Sequence, residues 1–260
     1  MDRFSISSIY DWWKGLNVTV IRKICCMVQN IVKHGSRVYT LELIPEKSLP
    51  VFRPGQFLHL ALDDYDPSGF WPDSRAFSIA SSPQVRDMLR ISYAVKGQFT
   101  GRMERELTGG KKVWIKLPYG EFIVDGEYPT ALIAGGTGIT PFCGFLEDLR
   151  PNQPNDIYLF YGARCPDLLI YREMVTKVAN SVSRFFPYFF VEIASVLSTS
   201  SNNINFQTGV LAIDQIWSHL SNPLQTIYYL SGPPLMCQSF STKLRACQVP
   251  LDHIRIDAWE

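Results

Sequence analysis

Arg75, Phe77 and Ser78 fall within four residues of one another, in the run Arg-Ala-Phe-Ser-Ile-Ala-Ser-Ser-Pro at 75–83. A guanidinium can grip two phosphate oxygens at once. An aromatic ring two residues on offers a flat face to a flat ligand, and the hydroxyl beside it can meet that ligand's edge. The same residues also suit an ordinary strand. A second candidate is GGTGITPF, Gly135–Phe142. It follows an apolar run and precedes a helical pattern. Glycines let a backbone approach a phosphate closely, and the free amides at a helix start favour negative charge. Pro141 suits the first helical turn. The run is not G-x-G-x-x-G, and no acid about twenty residues on takes the ribose role. Read alone, it is equally a tight strand–helix turn. A third, YLSGPPLM at Tyr229–Met236, ends another apolar run in Gly-Pro-Pro and could form the opposite wall of a cleft.

These groups need elements to hold them. The first half alternates polar and apolar residues in SRVYTLELI, QFLHLAL, LRISYAV and KVWIKL, separated by Gly/Pro/Asp-rich links such as DDYDPSGFWPDS. Short strands with such turns predict a sandwich or small barrel. The second half changes character. TALIAGG, DIYLFYGA, YFFVEIASV, TIYYLSGPP and HIRIDAW are strand-like runs, with helical patterns between them. That alternation predicts a parallel sheet covered on both faces. Ligands of such sheets bind at the carboxyl ends of the strands, where Gly135, Gly136, Gly138, Gly162 and Gly232 stand. The change falls near Asp125–Pro129. We therefore expect an extension over 1–16 that carries Trp12 and Trp13, a barrel domain over 17–126, and an α/β domain over 127–260.

Composition removes several classes. With 260 residues, 46% of them hydrophobic, the chain can bury a substantial core, and a net charge of +1 gives no sign of a nucleic-acid partner. The six cysteines include no C-x-x-C pair and no four-cysteine iron–sulfur run, so reduced thiols are expected. The four histidines lack ligand spacing, so no metal is expected. No segment reads as a signal peptide or a membrane span, which points to a soluble, cytoplasmic protein.

Taken in order, the motifs resemble the ferredoxin–NADP reductase family of flavoproteins, over roughly residues 17–260. RAFS resembles the family's Arg-x-Tyr-Ser flavin motif, and GQFTGRM its second flavin motif at a helix start. LPYGEF resembles the family's Pro-x-Gly-x-Phe close to the barrel. GGTGITP is similar to the nicotinamide-nucleotide pyrophosphate loop, and FYGAR to the strand end facing the adenosine half. SGPPLM resembles Cys-Gly-Pro-x-x-Met, and IDAWE the acidic–aromatic C-terminus.

The resemblance implies an antiparallel six-stranded flavin barrel followed by a parallel five-stranded nucleotide sheet, with FAD and a nicotinamide coenzyme as cofactors. Arg75 would hold the flavin pyrophosphate with Thr100, Gly101 and Arg102, and Phe77 would lie on the isoalloxazine where the family has Tyr. Ala76, Tyr93, Lys96, Gln98 and Phe99 would complete that site. Gly136, Thr137, Gly138, Thr140, Pro141, Gly162, Ala163, Arg164, Gly232, Pro233 and Met236 would hold the coenzyme. Ser78, Ser231 and Asp257 would take the catalytic positions, Ser231 replacing the family's cysteine, and Trp259 would cover the flavin face or pack between domains. NADPH-specific members carry a cation after the third strand of the second domain. Val196–Asn203 has none and leaves Arg164 as the only well-placed guanidinium, so NADH is favoured. The implied activity is electron transfer from NAD(P)H through FAD to a separate acceptor such as ferredoxin, flavodoxin or an oxygenase component. The rival is a non-catalytic regulatory or assembly subunit of the same fold.

Overall fold

The computed structural model describes residues 20–193 and 205–257. The expectations for residues 1–16, for Val196–Asn203 and for Trp259 lie outside the described residues.

Six strands of the first half pair antiparallel. They are β1 (Arg22–His34), β2 (Val38–Pro45), β3 (Phe57–Ala61), β4 (Ser74–Ser78), β5 (Leu89–Ala94) and β6 (Lys112–Tyr119), in the order β4-β3-β6-β1-β2-β5. The sheet curls until its two edges meet: the amide of Ala80, just past β4, donates to the carbonyl of Arg90 in β5 at 2.7 Å. The apolar positions of the alternating runs turn inward, so that Leu41, Leu43, Leu58, Leu60, Ile91 and Ile115 are fully buried together. Helix α1 (Gln98–Glu106) closes one end by adding Phe99 and Met103 to that core.

The second half is a parallel sheet with helices on both faces. Its elements are β7 (Thr130–Gly135), α2 (Thr140–Glu147), β8 (Ile157–Ala163), α3 (Arg172–Ser181), β9 (Phe185–Val191), β10 (Asn205–Thr208), α4 (Ile213–Trp217), β11 (Ile227–Ser231), α5 (Pro234–Ala246) and β12 (Ile254–Ile256). The order is β10-β9-β8-β7-β11-β12. Every residue of β7 and β11 is buried, as doubly covered strands require. Phe142, Leu146 and Val175 pack on one face, and Ile216, Phe240 and Leu244 on the other.

The sheet has six strands, not the five expected. The extra one, β10, is four residues long, reads Asn-Phe-Gln-Thr, and pairs only with β9 at the sheet's edge. An edge strand with one neighbour needs no continuous apolar run, so the pattern that marks the central strands is missing from it. Among the described residues no helix is long and apolar enough to cross a membrane.

The two halves are joined along the segment that follows β4. Ser82 donates its amide to Glu147 Oε2 at 3.1 Å, and Arg90 reaches Glu147 Oε1 at 2.6 Å. Helix α2 approaches so closely that a Cβ on Gly144 would stand 2.7 Å from the carbonyl oxygen of Ser81.

Candidate functional site

A cleft of about 990 Å³ runs between the two halves. One wall is made of backbone. Strand β7 ends at Gly135, a 3-10 turn spans Gly136–Ile139, and α2 follows with Pro141 in its first turn. Thr140 ties the turn down by donating its hydroxyl to the carbonyl of Thr137 at 2.6 Å. The leading amides of such a turn have no intrahelical acceptor and carry the positive end of the helix dipole.

The glycines here serve two purposes. A Cβ on Gly138 would lie 2.2 Å from the carbonyl oxygen of Ser231, and one on Gly232 would lie 2.9 Å from the amide nitrogen of Gly135. One on Gly135 would meet Met236 Sδ at 2.8 Å. These three let the turn after β7 and the turn after β11 press against each other. Gly136 differs. Its φ is +55°, and nothing lies within 4 Å of where its Cβ would point. Gly136 alone of the four leaves the backbone bare toward open space, and it lines the cleft with Thr137, Pro233 and Met236. Gly162, Ala163 and Arg164 line it at the end of β8.

Ser231 and Asp257 meet at this wall. The buried Ser231 hydroxyl donates to Asp257 Oδ2 at 3.0 Å, and the Asp257 amide donates to the carbonyl of Leu230 at 2.9 Å. The Ser231 hydroxyl therefore makes a full hydrogen bond, which a thiol at that position would make only weakly.

The facing wall is made of side chains. Ala76, Phe77 and Ser78 of edge strand β4 border the cleft, and Ser78 stands opposite Phe57 in the β3–β4 ladder. Phe77 meets Tyr93 edge-on at 6.1 Å, and Tyr93 stacks on Tyr39 at 5.3 Å. Burial pushes the Tyr93 phenol upward, so it stays neutral. Lys96 borders both this cleft and a second hollow of about 510 Å³ beside α1, lined by Gln98, Gly101, Arg102 and also Arg37.

Arg75 stands outside the residues lining the cleft. Its guanidinium lies 5.3 Å from the ring centroid of Phe99 and donates to Asp73 Oδ1 at 2.8 Å. Strand β4 and the start of α1 are thus brought together, with a carboxylate already on the cation. Arg102 is held in the same way by Asp63 at 2.7 Å and Glu106 at 2.9 Å, which raise its pKa. Thr100 is spent locally: its hydroxyl oxygen accepts from the amides of Lys96 and Gly97, at 3.0 and 3.1 Å, and fastens the start of α1. Arg37 grips Glu104 with both its Nε and a terminal nitrogen, and with the Tyr39 hydroxyl it pulls that carboxyl down to about 2.

Arg164 is not the only guanidinium at the nucleotide wall. Gln238, Ser241, Thr242 and Arg245 recur at helical spacing on α5, and all four line the cleft, as does Glu192 just past β9. The helical period of that polar stripe was the signal available in the sequence. Glu192 and Arg164 end neighbouring strands, joined by the amide of Ile193 donating to the Arg164 carbonyl at 3.0 Å, yet no ion pair links them among the described residues.

A family model described as the oxidoreductase NAD-binding domain matches residues 132–242, the segment that carries the backbone wall. The electron transfer component of anthranilate 1,2-dioxygenase from Acinetobacter baylyi is 27% identical over 198 residues, 74% of this chain and 54% of that protein. The chain carries an oxidoreductase NAD-binding domain and is similar to ferredoxin reductase-type proteins. Among solved structures, a ferredoxin NADP+ reductase from Neisseria gonorrhoeae with bound FAD and NADP aligns with a TM-score of 0.70 at 18% identity, covering 91% of this chain and 98% of that one. Such a likeness shows the fold. The oxidoreductase NAD-binding domain-containing protein 1 of Pongo abelii is 30% identical over 210 residues, 70% of this chain and 64% of that protein. The chain thus spans only about half to two thirds of the length of these curated relatives.

Proposed function

We propose that this chain is a member of the ferredoxin–NADP reductase-like family, an FAD-dependent NAD(P)H oxidoreductase that passes electrons to a separate acceptor. One observation carries the reading: Ser78 and the Ser231–Asp257 pair border the same cleft from opposite halves of the molecule.

The residues fit both cofactors. Gly136 presents bare backbone at a helix start, a cradle that a Cβ would fill, and this suits the pyrophosphate of a nicotinamide nucleotide. Phe77 and Tyr93 supply an aromatic wall, Lys96 links it to the hollow beside α1, and Arg75 stands over the ring of Phe99 in α1. That set suits a flat, pyrophosphate-bearing flavin. FAD, when bound, supplies hydride acceptance and electron release in one- or two-electron steps. The chain's own residues bind and align. Arg75 exchanges Asp73 for phosphate oxygens. Ser78 offers a hydroxyl at the ring's edge. Asp257 fixes the Ser231 proton, leaving that oxygen's lone pairs toward the cleft. Residues 17–126 then form the flavin unit and 127–260 the nucleotide unit.

NADH is the proposed coenzyme. Val196–Asn203 offers no cation, and Glu192 would repel a dianionic ribose phosphate while accepting from a ribose hydroxyl. Arg164 and Arg245 are the charges that oppose this choice. The acceptor we propose is a ferredoxin, a flavodoxin or an oxygenase component, by analogy with relatives described as dioxygenase electron transfer or reductase components, and the setting is cytoplasmic.

The test is purification followed by turnover with ferricyanide. The protein should be yellow, release FAD on denaturation and oxidise NADH. Colourless protein that cannot be reconstituted, or FMN alone, overturns the flavin reading. Bound FAD without turnover favours the regulatory-subunit alternative. An NADPH preference above about tenfold reverses the coenzyme choice.

A further inference from the structure

Tyr171 belongs to the parallel-sheet half, at the turn into α3, yet its hydroxyl ends in the wall of the barrel. It lies 2.7 Å from Ser92 Oγ in β5. Ser92 Oγ lies 2.6 Å from Thr40 Oγ1 in β2, and Thr40 Oγ1 lies 2.9 Å from His34 Nε2 in β1. The ladders explain the alignment. Thr40 stands opposite Ser92 between β2 and β5, and His34 stands two residues along, on the same face, from Thr40's partner, Val32, between β1 and β2. Four side chains from three strands and the other half of the molecule form one continuous file of hydrogen bonds.

The file is buried where it crosses: Tyr171 is 7% exposed, Ser92 6% and Thr40 5%. Buried hydroxyls must be paired, and each has a single proton to give. The three therefore satisfy one another only as a run pointing one way, each fixing the rotamer of the next. Burial raises the Tyr171 phenol, which keeps its proton at neutral pH. Ser92 also lines the cleft, and so does Ile170, the residue before Tyr171, whereas Tyr171 itself does not. The file is thus fastened to the cleft wall from both halves while standing behind it.

We propose that Tyr171 is a positioning residue: through Ser92 and Thr40 its hydroxyl sets the barrel wall against the nucleotide wall at the separation that hydride transfer needs. This rests on the oxidoreductase reading above. A Phe at 171 keeps the ring packing and removes only the hydroxyl, so the variant separates alignment from bulk.

Two measurements test it. In anaerobic rapid mixing with NADH and C4-deuterated NADH, Tyr171→Phe should retain its flavin and bind NADH within about twofold of the parent. Its flavin reduction rate should fall roughly five- to tenfold, with an isotope effect that becomes more temperature-dependent. Glu147→Gln, which weakens the interface at a residue away from the cleft, should lower Tm without changing the isotope effect. A Tyr171→Phe variant that loses thermal stability but reduces its flavin within twofold of the parent overturns the positioning role alone. A parent protein whose flavin is not reduced by NADH or NADPH overturns the oxidoreductase reading, and the proposal with it. Independently of turnover, the Tm shifts of Tyr171→Phe and His34→Leu should be non-additive, because the two side chains communicate only through Thr40 and Ser92. Additive shifts would show that the file does not act as a unit.

Discussion

The two walls of the cleft are built from different materials. The nucleotide wall is backbone: two turns pressed together so tightly that Gly135, Gly138 and Gly232 have no room for a methyl group. The barrel wall is side chain: Phe77, Ser78 and Tyr93 on strands whose pairing would survive their replacement. Backbone walls are rigid, and their shape can be lost in a single step. Side-chain walls can be tuned, and their charges can be held elsewhere until a ligand competes. Arg75 shows this. Its exposed pair with Asp73 contributes at most about 1 kcal/mol, while a charge-assisted contact to a phosphate contributes about 1.5–3 kcal/mol, so exchanging one for the other is favourable.

Substitutions within the backbone wall should give the largest effects. Gly138→Ala forces a Cβ to within 2.2 Å of the Ser231 carbonyl oxygen and should cost about 3 kcal/mol or more, or yield no folded protein. Gly136→Ala meets only open space and pays the left-handed backbone penalty of about 1 kcal/mol, so it should stay folded and bind NADH more weakly. Equal destabilisation of the two variants in thermal unfolding would erase the distinction between packed and open glycines. On β4 but outside the cleft lining, Arg75→Ala should leave Tm within about 2 °C of the parent and weaken FAD retention at least tenfold, read by fluorescence of released flavin. Asp73→Asn should tighten retention slightly, and a loss there would show that Asp73 helps rather than competes.

Where the walls meet, Ser231→Ala removes the donor to Asp257 and should cost about 1 kcal/mol, with Ser231→Cys falling between alanine and the parent. The smallest effect should come from Asp148. Burial, in a site where Ser82 donates to it, raises its pKa above the usual carboxylate range. A raised folded-state pKa favours the protonated form, so the stability this group provides is present below its unfolded pKa and lost as pH rises through the folded value. Asp148→Asn should therefore raise Tm by about 1–2 °C at pH 7, and the gain should shrink as pH falls into the carboxylate range. A gain independent of pH would remove burial as the cause.

What the sequence disclosed follows the same division. The central strands of the parallel sheet are uninterrupted apolar runs, and their turns carry Gly-Gly and Gly-Pro-Pro, so both the layer and the backbone wall were readable locally. Strand β10 was not, because its four residues need satisfy only one neighbour. The partners of the cations were hidden for another reason. Asp63 lies 39 residues from Arg102, and Glu104 lies 67 from Arg37, so only the closed barrel brings them together. The hydroxyl file spans 79 residues between Ser92 and Tyr171, and no spacing rule reaches that far.

The short strands at the borders of the parallel sheet also bear on self-association. An open sheet invites a neighbouring molecule to extend it, and the invitation grows with the length of unpaired backbone on display. Among the described residues the outermost strands are β12, three residues long, and β10, four residues long. Among the described residues, strand β10 pairs with Tyr188–Val191 of β9. Val191 turns its carbonyl outward to the amide of Gly209, and the two-residue period of the strand puts Pro187 on the same outward side. Proline has no amide hydrogen to offer there. A sheet whose interior is among the most apolar parts of the molecule is thus bordered, among the described residues, by short strands that offer a neighbouring molecule little backbone to pair with.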